Sequence, residues 1–219
     1  MTKAMPLWAS WMLVTALAGT VAWFITAVML LVSLGFAGIA AGTLFGFATA
    51  GVQTSLLEKE LPHYNWRKWS LLSGAGGTLA WVSIIALMII PQVFFGITAR
   101  SDPTFWAVYP LVLPFLAGAI FGMSQWLVIR QRIQNSVWWI VANLLGCSIG
   151  GMIGVQVSGV IYENLIPRNW KGSILIAPAH ALSLFVIGAV GSVILAIATG
   201  IAIMWLLRRN GESSFDGES

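Results

Sequence analysis

The feature that most restricts this chain is a stretch of 51 residues without one charged side chain, residues 7–57. A helix that crosses the hydrocarbon of a bilayer needs about 20 apolar residues. The stretch is therefore long enough for two crossings with a turn between them. The rest of the chain agrees: 58% of its 219 residues are hydrophobic and 8% are charged, against roughly 45 to 50% and about 25% in soluble proteins. A bilayer supplies the solvent, and helices satisfy every backbone donor and acceptor inside it. The expected fold is all-α, a polytopic membrane helix bundle.

Punctuation divides the chain into six expected helices, at about residues 7–33, 36–57, 70–91, 105–129, 137–161 and 178–207. They make one transmembrane domain over residues 1–209, followed by a polar tail over 210–219. Gly35 and Gly38 suit the first turn, and Pro91 is expected to end the third helix. Pro110 and Pro114 remove backbone donors near the start of the fourth, and Pro178 opens the sixth. Arg208 and Arg209 stop the last span. Ala16 and Ala18 imitate the small residues of a signal cleavage site, but the apolar run continues well past them, so the first helix is expected to stay.

An even number of crossings puts both termini on one side. Lys3, Lys59, Arg67, Lys68, Arg130, Arg132, Arg208 and Arg209 collect there, and only Arg100, Arg168 and Lys171 collect opposite. Positive residues favour the cytoplasm, so both ends are expected inside. The formal charge of +4 reads as orientation and not as nucleic-acid binding, since no basic stripe or soluble domain carries it. Most of the twelve tryptophans fall near expected helix ends, where an aromatic belt would place them. Cys147, the only cysteine, has no partner for an internal disulfide.

Small residues recur at helical spacing. Gly146, Gly150 and Gly154 lie one turn apart on one face, as do Gly42 and Gly46 in the second helix and Gly118 and Gly122 in the fourth. Apolar helices gain little from meeting inside lipid, so they associate where small residues let backbones approach and polar side chains bond across the gap. These glycines are the expected packing positions. Sliding the chain by 72 places Gln53 on Gln125, Trp66 on Trp138, Leu72 on Leu144 and Gly74 on Gly146. Upstream of the glutamine a shift of 76 matches Ala41-Gly42 with Ala117-Gly118 and Phe45-Gly46 with Phe121-Gly122. The second and third helices thus read as an earlier copy of the fourth and fifth. Both copies cross in the same sense, which makes a parallel repeat and not the inverted repeat of many transporters.

The segments Gly118-Ala-Ile-Phe-Gly-Met-Ser-Gln-Trp-Leu-Val-Ile-Arg130, Trp138-Trp139-Ile-Val-Ala-Asn-Leu-Leu-Gly146 and Ala198-Thr-Gly-Ile-Ala-Ile-Met-Trp-Leu-Leu-Arg208 carry a resemblance. With them the chain resembles a family of small multi-helix bacterial, often cyanobacterial, membrane proteins with repeated GxxxGxxQW hairpins. The resemblance implies a bacterial membrane setting, the inner membrane or the thylakoid, and implies no activity. The first copy departs from the pattern, with Thr54 where the second has Trp126.

Two constellations are candidates for chemistry. Gln53, Gln125 and Asn143, joined by Thr199, share one depth near the cytoplasmic ends of their helices and could coordinate a polar head group or small solute. The preferred reading is that they bond to one another across helices, each such bond contributing about 0.6 kcal/mol in a membrane. At the outer side Gln156, Glu163 and His180 could approach one another, and a histidine beside a carboxylate can shuttle protons or ligate a metal. A metal site needs three or four ligands, so no metal, cofactor or catalytic set is assigned. No acidic residue falls securely inside a span, which weighs against an ion-coupled pump. The favoured reading is a membrane scaffold, assembly factor or accessory subunit acting through helix packing, with the lipid bilayer and other membrane proteins or a second copy as partners. The alternative is a small-solute carrier or channel built on the glutamine and asparagine layer.

Overall fold

The structure is a computed structural model that describes residues 5–32, 37–60, 66–96, 103–165 and 176–213. Those residues form six helices and no strand: α1 (Leu7–Val32), α2 (Ala37–Glu60), α3 (Trp66–Phe95), α4 (Pro103–Ile129), α5 (Trp138–Leu165) and α6 (Ile176–Ser213). Five are long and apolar enough to cross a membrane. The exception, α2, has the length, but its glycines, Gln53 and the closing Glu58-Lys59-Glu60 dilute its apolar character. Lys3, His63, Arg100, Asp102, Arg168, Trp170 and Lys171 lie outside the described residues, as does the end of the polar tail.

Several boundaries differ from expectation, each for a physical reason. Pro91 does not end α3, which continues to Phe95. In hydrocarbon a helix that stopped at a proline would strand its last carbonyls, so continuing past one missing donor is cheaper. The helix gives way at Gly96, whose φ of 64° is the left-handed conformation glycine adopts at a helix end. Pro110 and Pro114 likewise sit inside α4. At the other end α3 begins at Trp66, so the polar Arg67 and Lys68 belong to its first turn and not to a link. Tyr162 and Glu163, expected in a link, are helical residues of α5. Arg208 and Arg209 end the span but not the helix, which runs to Ser213.

Each helix packs chiefly against its neighbours in the chain, and α6 returns to pack against α1. The bundle is therefore a closed ring. With neighbouring axes about 8 to 10 Å apart, six helices in a ring leave a central space about one helix wide. What fills that space differs along the axis. At the end carrying Lys59, Arg67, Lys68, Arg130, Arg132, Arg208 and Arg209, here the basic end, it is closed by Trp11, Trp69 and Trp139, all fully buried. Their rings meet at 5.8 Å for Trp11 with Trp139 and 5.6 Å for Trp69 with Trp139. Leu57, Ile129, Ile203 and Leu206 pack around them. The tight link between α4 and α5 closes beneath, with Asn135 at φ 56°, a conformation asparagine tolerates better than most residues, and Ile133 tucked inward.

The glycine faces close the ring from within. A methyl group on Gly46 would lie 2.9 Å from the Gly74 backbone of α3, one on Gly122 would lie 2.9 Å from the Asn143 side chain of α5, and one on Gly150 would lie 2.8 Å from the Gly191 backbone of α6. Gly42, Gly118, Gly146 and Gly154 meet neighbouring helices in the same way.

Candidate functional site

Gln53, Gln125, Asn143 and Thr199 are all buried, between 0% and 3% exposed, and they lie at one level just above the tryptophans. Gln125 is the best-connected of them. Its Nε2 donates to the Ser73 hydroxyl of α3 at 3.0 Å, and its Oε1 accepts from the Trp139 indole of α5 at 3.0 Å, so one amide ties three helices together. Gln53 Nε2 donates to the Thr15 hydroxyl of α1 at 3.1 Å. Trp11 Nε1 donates to Thr199 Oγ1 at 3.2 Å, and that hydroxyl in turn donates to the Leu195 carbonyl one turn back. Asn143 Nδ2 turns to its own helix and bonds the Trp139 carbonyl at 2.9 Å.

A pattern joins these bonds. Trp11 and Thr15, Trp69 and Ser73, and Trp139 and Asn143 are each one helical turn apart at the basic ends of α1, α3 and α5, so tryptophan and polar partner stack on one inward face. The three tryptophans read as an interfacial belt in the sequence, but they are inside the ring. The signal that separates them from belt residues is an uncharged polar side chain four residues on: Thr15, Ser73 and Asn143, against Met12 after Trp8, Ala142 after Trp138 and the cationic Arg209 after Trp205. Trp8, Trp138 and Trp205 do stand exposed; the last two rings meet at 6.3 Å, and the Arg209 guanidinium lies 5.2 Å from the Trp205 ring, an arrangement suited to a membrane interface.

Three buried polar atoms in this layer have no hydrogen-bond partner: Gln53 Oε1, Trp69 Nε1 and Asn143 Oδ1. Gln53 is the counterpart of Gln125 in the 72-residue register, yet its Oε1 lacks the indole donor that Gln125 Oε1 has from Trp139. The glutamine–tryptophan bond is thus made between α4 and α5, while Gln53 Oε1 on α2, Trp69 Nε1 on α3 and Asn143 Oδ1 on α5 are left unpaired.

Above the layer the space inside the ring stays open as a cavity of about 330 Å³. All six helices line it. Trp23, Phe45, Trp81 and Phe121 form a continuous aromatic wall, with ring separations of 5.7 Å for Trp23 with Trp81, 6.5 Å for Trp23 with Phe45 and 5.7 Å for Phe45 with Phe121. Glycines 42, 77, 151, 188 and 191 supply bare backbone between them. The one hydroxyl in the lining, Ser192, already donates to the Gly188 carbonyl at 2.7 Å. None of the four layer residues lines the cavity. Phe121 sits one turn above Gln125, so the layer is its floor.

The outer candidates are placed differently. Gln156 and Glu163 are exposed, two turns apart on α5. His180, exposed near the start of α6, has its ring 6.4 Å from that of Tyr162. Among the described residues no group of three or more histidines, cysteines, aspartates or glutamates is placed to hold a metal. No family model matches the chain, and neither the curated proteins nor the solved structures contain one similar to it.

Proposed function

We propose that this chain is an integral membrane protein that works through helix packing, as a scaffold or accessory subunit of a bacterial inner or thylakoid membrane, with its basic end in the cytoplasm. The observation that carries this reading is the sealed layer. The side chains a carrier would use to handle a polar solute are spent on bonds between helices or closed off behind three tryptophans, and the open space beside them is apolar. A polar solute crossing here would leave water for an aromatic chamber and then meet a plug.

The two glutamines fit an arrangement of repeated units. Each donates its amide to a hydroxyl on the helix before it, Gln53 to Thr15 and Gln125 to Ser73, as two parallel copies of one hairpin would. Trp11 with Thr199 extends the same theme to α6 and α1. Because the glycine faces are occupied within the chain, the surface offered to a partner helix is the outer half of α5, where Gln156, Gly159 and Glu163 are exposed and a side chain on Gly159 would meet nothing within 4 Å.

The test separates assembly from folding. Gly159→Leu should leave the melting temperature of the purified chain unchanged and reduce the size of the complex isolated from native membranes in mild detergent. Vesicles containing the wild-type chain should take up labelled amino acids and sugars no faster than empty ones. Uptake that rises above the empty vesicles and is lost in Gln125→Leu would overturn the reading in favour of a carrier.

A further inference from the structure

We propose that the cavity inside the ring is a binding site for the hydrocarbon tail of a membrane lipid. This goes beyond a packing role, since it gives the bundle a ligand. Three properties of the chamber point to it. Its wall is apolar and aromatic, and its single hydroxyl is already bonded, so a water inside would lack the two to four polar partners it needs. Its size suits a chain: a cavity of about 150 Å³ holds one benzene ring, so 330 Å³ takes roughly a dozen carbons by the same measure. Its shape is elongated. The lining extends from Leu113 to Phe121 on α4 and from Leu184 to Ser192 on α6, about 12 Å along each helix at 1.5 Å per residue. A flexible tail of that length lies along the axis with its end on the floor formed by the Gln125 layer.

The surroundings supply the occupant. Close packing is the rule inside proteins, and the only abundant material that wets an apolar chamber in a bilayer is lipid tail. Gly42, Gly77 and Gly188 let a neighbouring backbone or the Trp23 ring close in on the wall, and Gly191 leaves the bore open. Gly191 has room for a side chain, since an added methyl would find only the Gly150 carbonyl carbon, at 3.9 Å. Gly151 would meet Pro114, with its Cβ 2.8 Å away, so proline and glycine together set the width there.

The test uses the full chain in vesicles. In one arm the vesicles contain phosphatidylcholine with a photoreactive diazirine on its acyl chain; in the other they contain a diazirine-bearing isoprenoid alcohol. After illumination, adducts are mapped by mass spectrometry. The expected result is adducts on cavity residues Ala117, Phe121 and Cys147, besides the adducts that any surrounding lipid leaves on outward residues such as Phe115 and Met152. Adducts in either arm support the site, and the arm that gives them names the tail. Two variants fill the chamber, Ala117→Phe and Gly191→Leu, and each should lose the inner adducts and keep the outer ones. Circular dichroism and a melting curve identify which variant is folded, and Gly191→Leu, which has space, serves if Ala117→Phe is not. Absence of inner adducts in both arms would overturn the proposal. So would inner adducts that persist in a folded, filled variant.

Discussion

Gln53 and Gln125 are both buried, yet replacing each with leucine should have very unequal consequences. Leucine is close to glutamine in volume, so the comparison isolates hydrogen bonding. Gln125→Leu removes two interhelical bonds, to Ser73 and from Trp139, at about 0.6 kcal/mol each in a membrane. It also leaves the Trp139 indole N–H buried without an acceptor, which costs a further 1 to 3 kcal/mol or so. The total is about 3 kcal/mol. Gln53→Leu removes one bond, to Thr15, a hydroxyl that can turn to a carbonyl of its own helix as Thr26 does toward Ala22. The same change deletes Gln53 Oε1, an acceptor that is already buried and unpaired. Loss and relief are similar in size, so the net effect should fall within about 1 kcal/mol of zero. Reversible unfolding in mixed micelles, followed by circular dichroism against the fraction of denaturing detergent, measures both variants on one scale. Equal destabilisation by the two substitutions, or a larger loss at Gln53, would refute the accounting and with it the claim that only Gln125 has both ends of its amide bonded.

Three further outcomes follow from the same geometry. Trp139→Phe should destabilise more than Trp69→Phe by about 1 to 2 kcal/mol in the same unfolding assay, because only the first leaves a bonded amide without its donor. Gly150→Leu should abolish the folded monomer on size-exclusion chromatography, since its side chain would have to enter the Gly191 backbone, whereas Gly159→Ala should preserve it and gain up to about 1 kcal/mol of helix propensity. A cysteine placed at Gln131 in a Cys147→Ala background should resist a membrane-impermeant maleimide in intact cells and react after lysis, as cytoplasmic placement of the Arg130 and Arg132 link requires; labelling of intact cells would invert the orientation.

The six helices and their order were legible because charge and proline punctuate the chain, and length in hydrocarbon leaves few alternatives. The packing residues were legible too, since Gly42, Gly46, Gly118, Gly122, Gly146, Gly150 and Gly154 sit at spacings that only a close helix contact explains. What each face meets was not. In water an amphipathic stripe gives the azimuth of a helix, but here the lipid side and the inner side are both apolar. Leu71 and Trp69 are two residues apart on α3; one is 61% exposed and the other 0%, and hydrophobicity alone does not order them. For the same reason Trp11, Trp69 and Trp139 read as belt residues. The extent of α3 past Pro91 is not legible from proline alone, because proline ends helices where water hydrates the freed carbonyls, and hydrocarbon does not.

The small residues of this chain do two jobs that composition cannot distinguish. At Gly46, Gly122 and Gly150 the missing side chain brings a neighbouring backbone close, and the ring contracts there. At Gly191, whose backbone lies against Gly150, an added methyl would find only the Gly150 carbonyl carbon at 3.9 Å, and the interior beside it stays open. Both kinds of position are needed for a ring of six to keep a lumen, because tight lateral contacts hold the circumference while bare inner faces prevent side chains from filling the centre. The basic half uses the opposite device, three of the largest side chains directed inward beneath the polar layer. Lateral packing does not require the missing side chain at Gly191, because a side chain there would point into open space; its absence preserves the room that the proposed lipid tail uses.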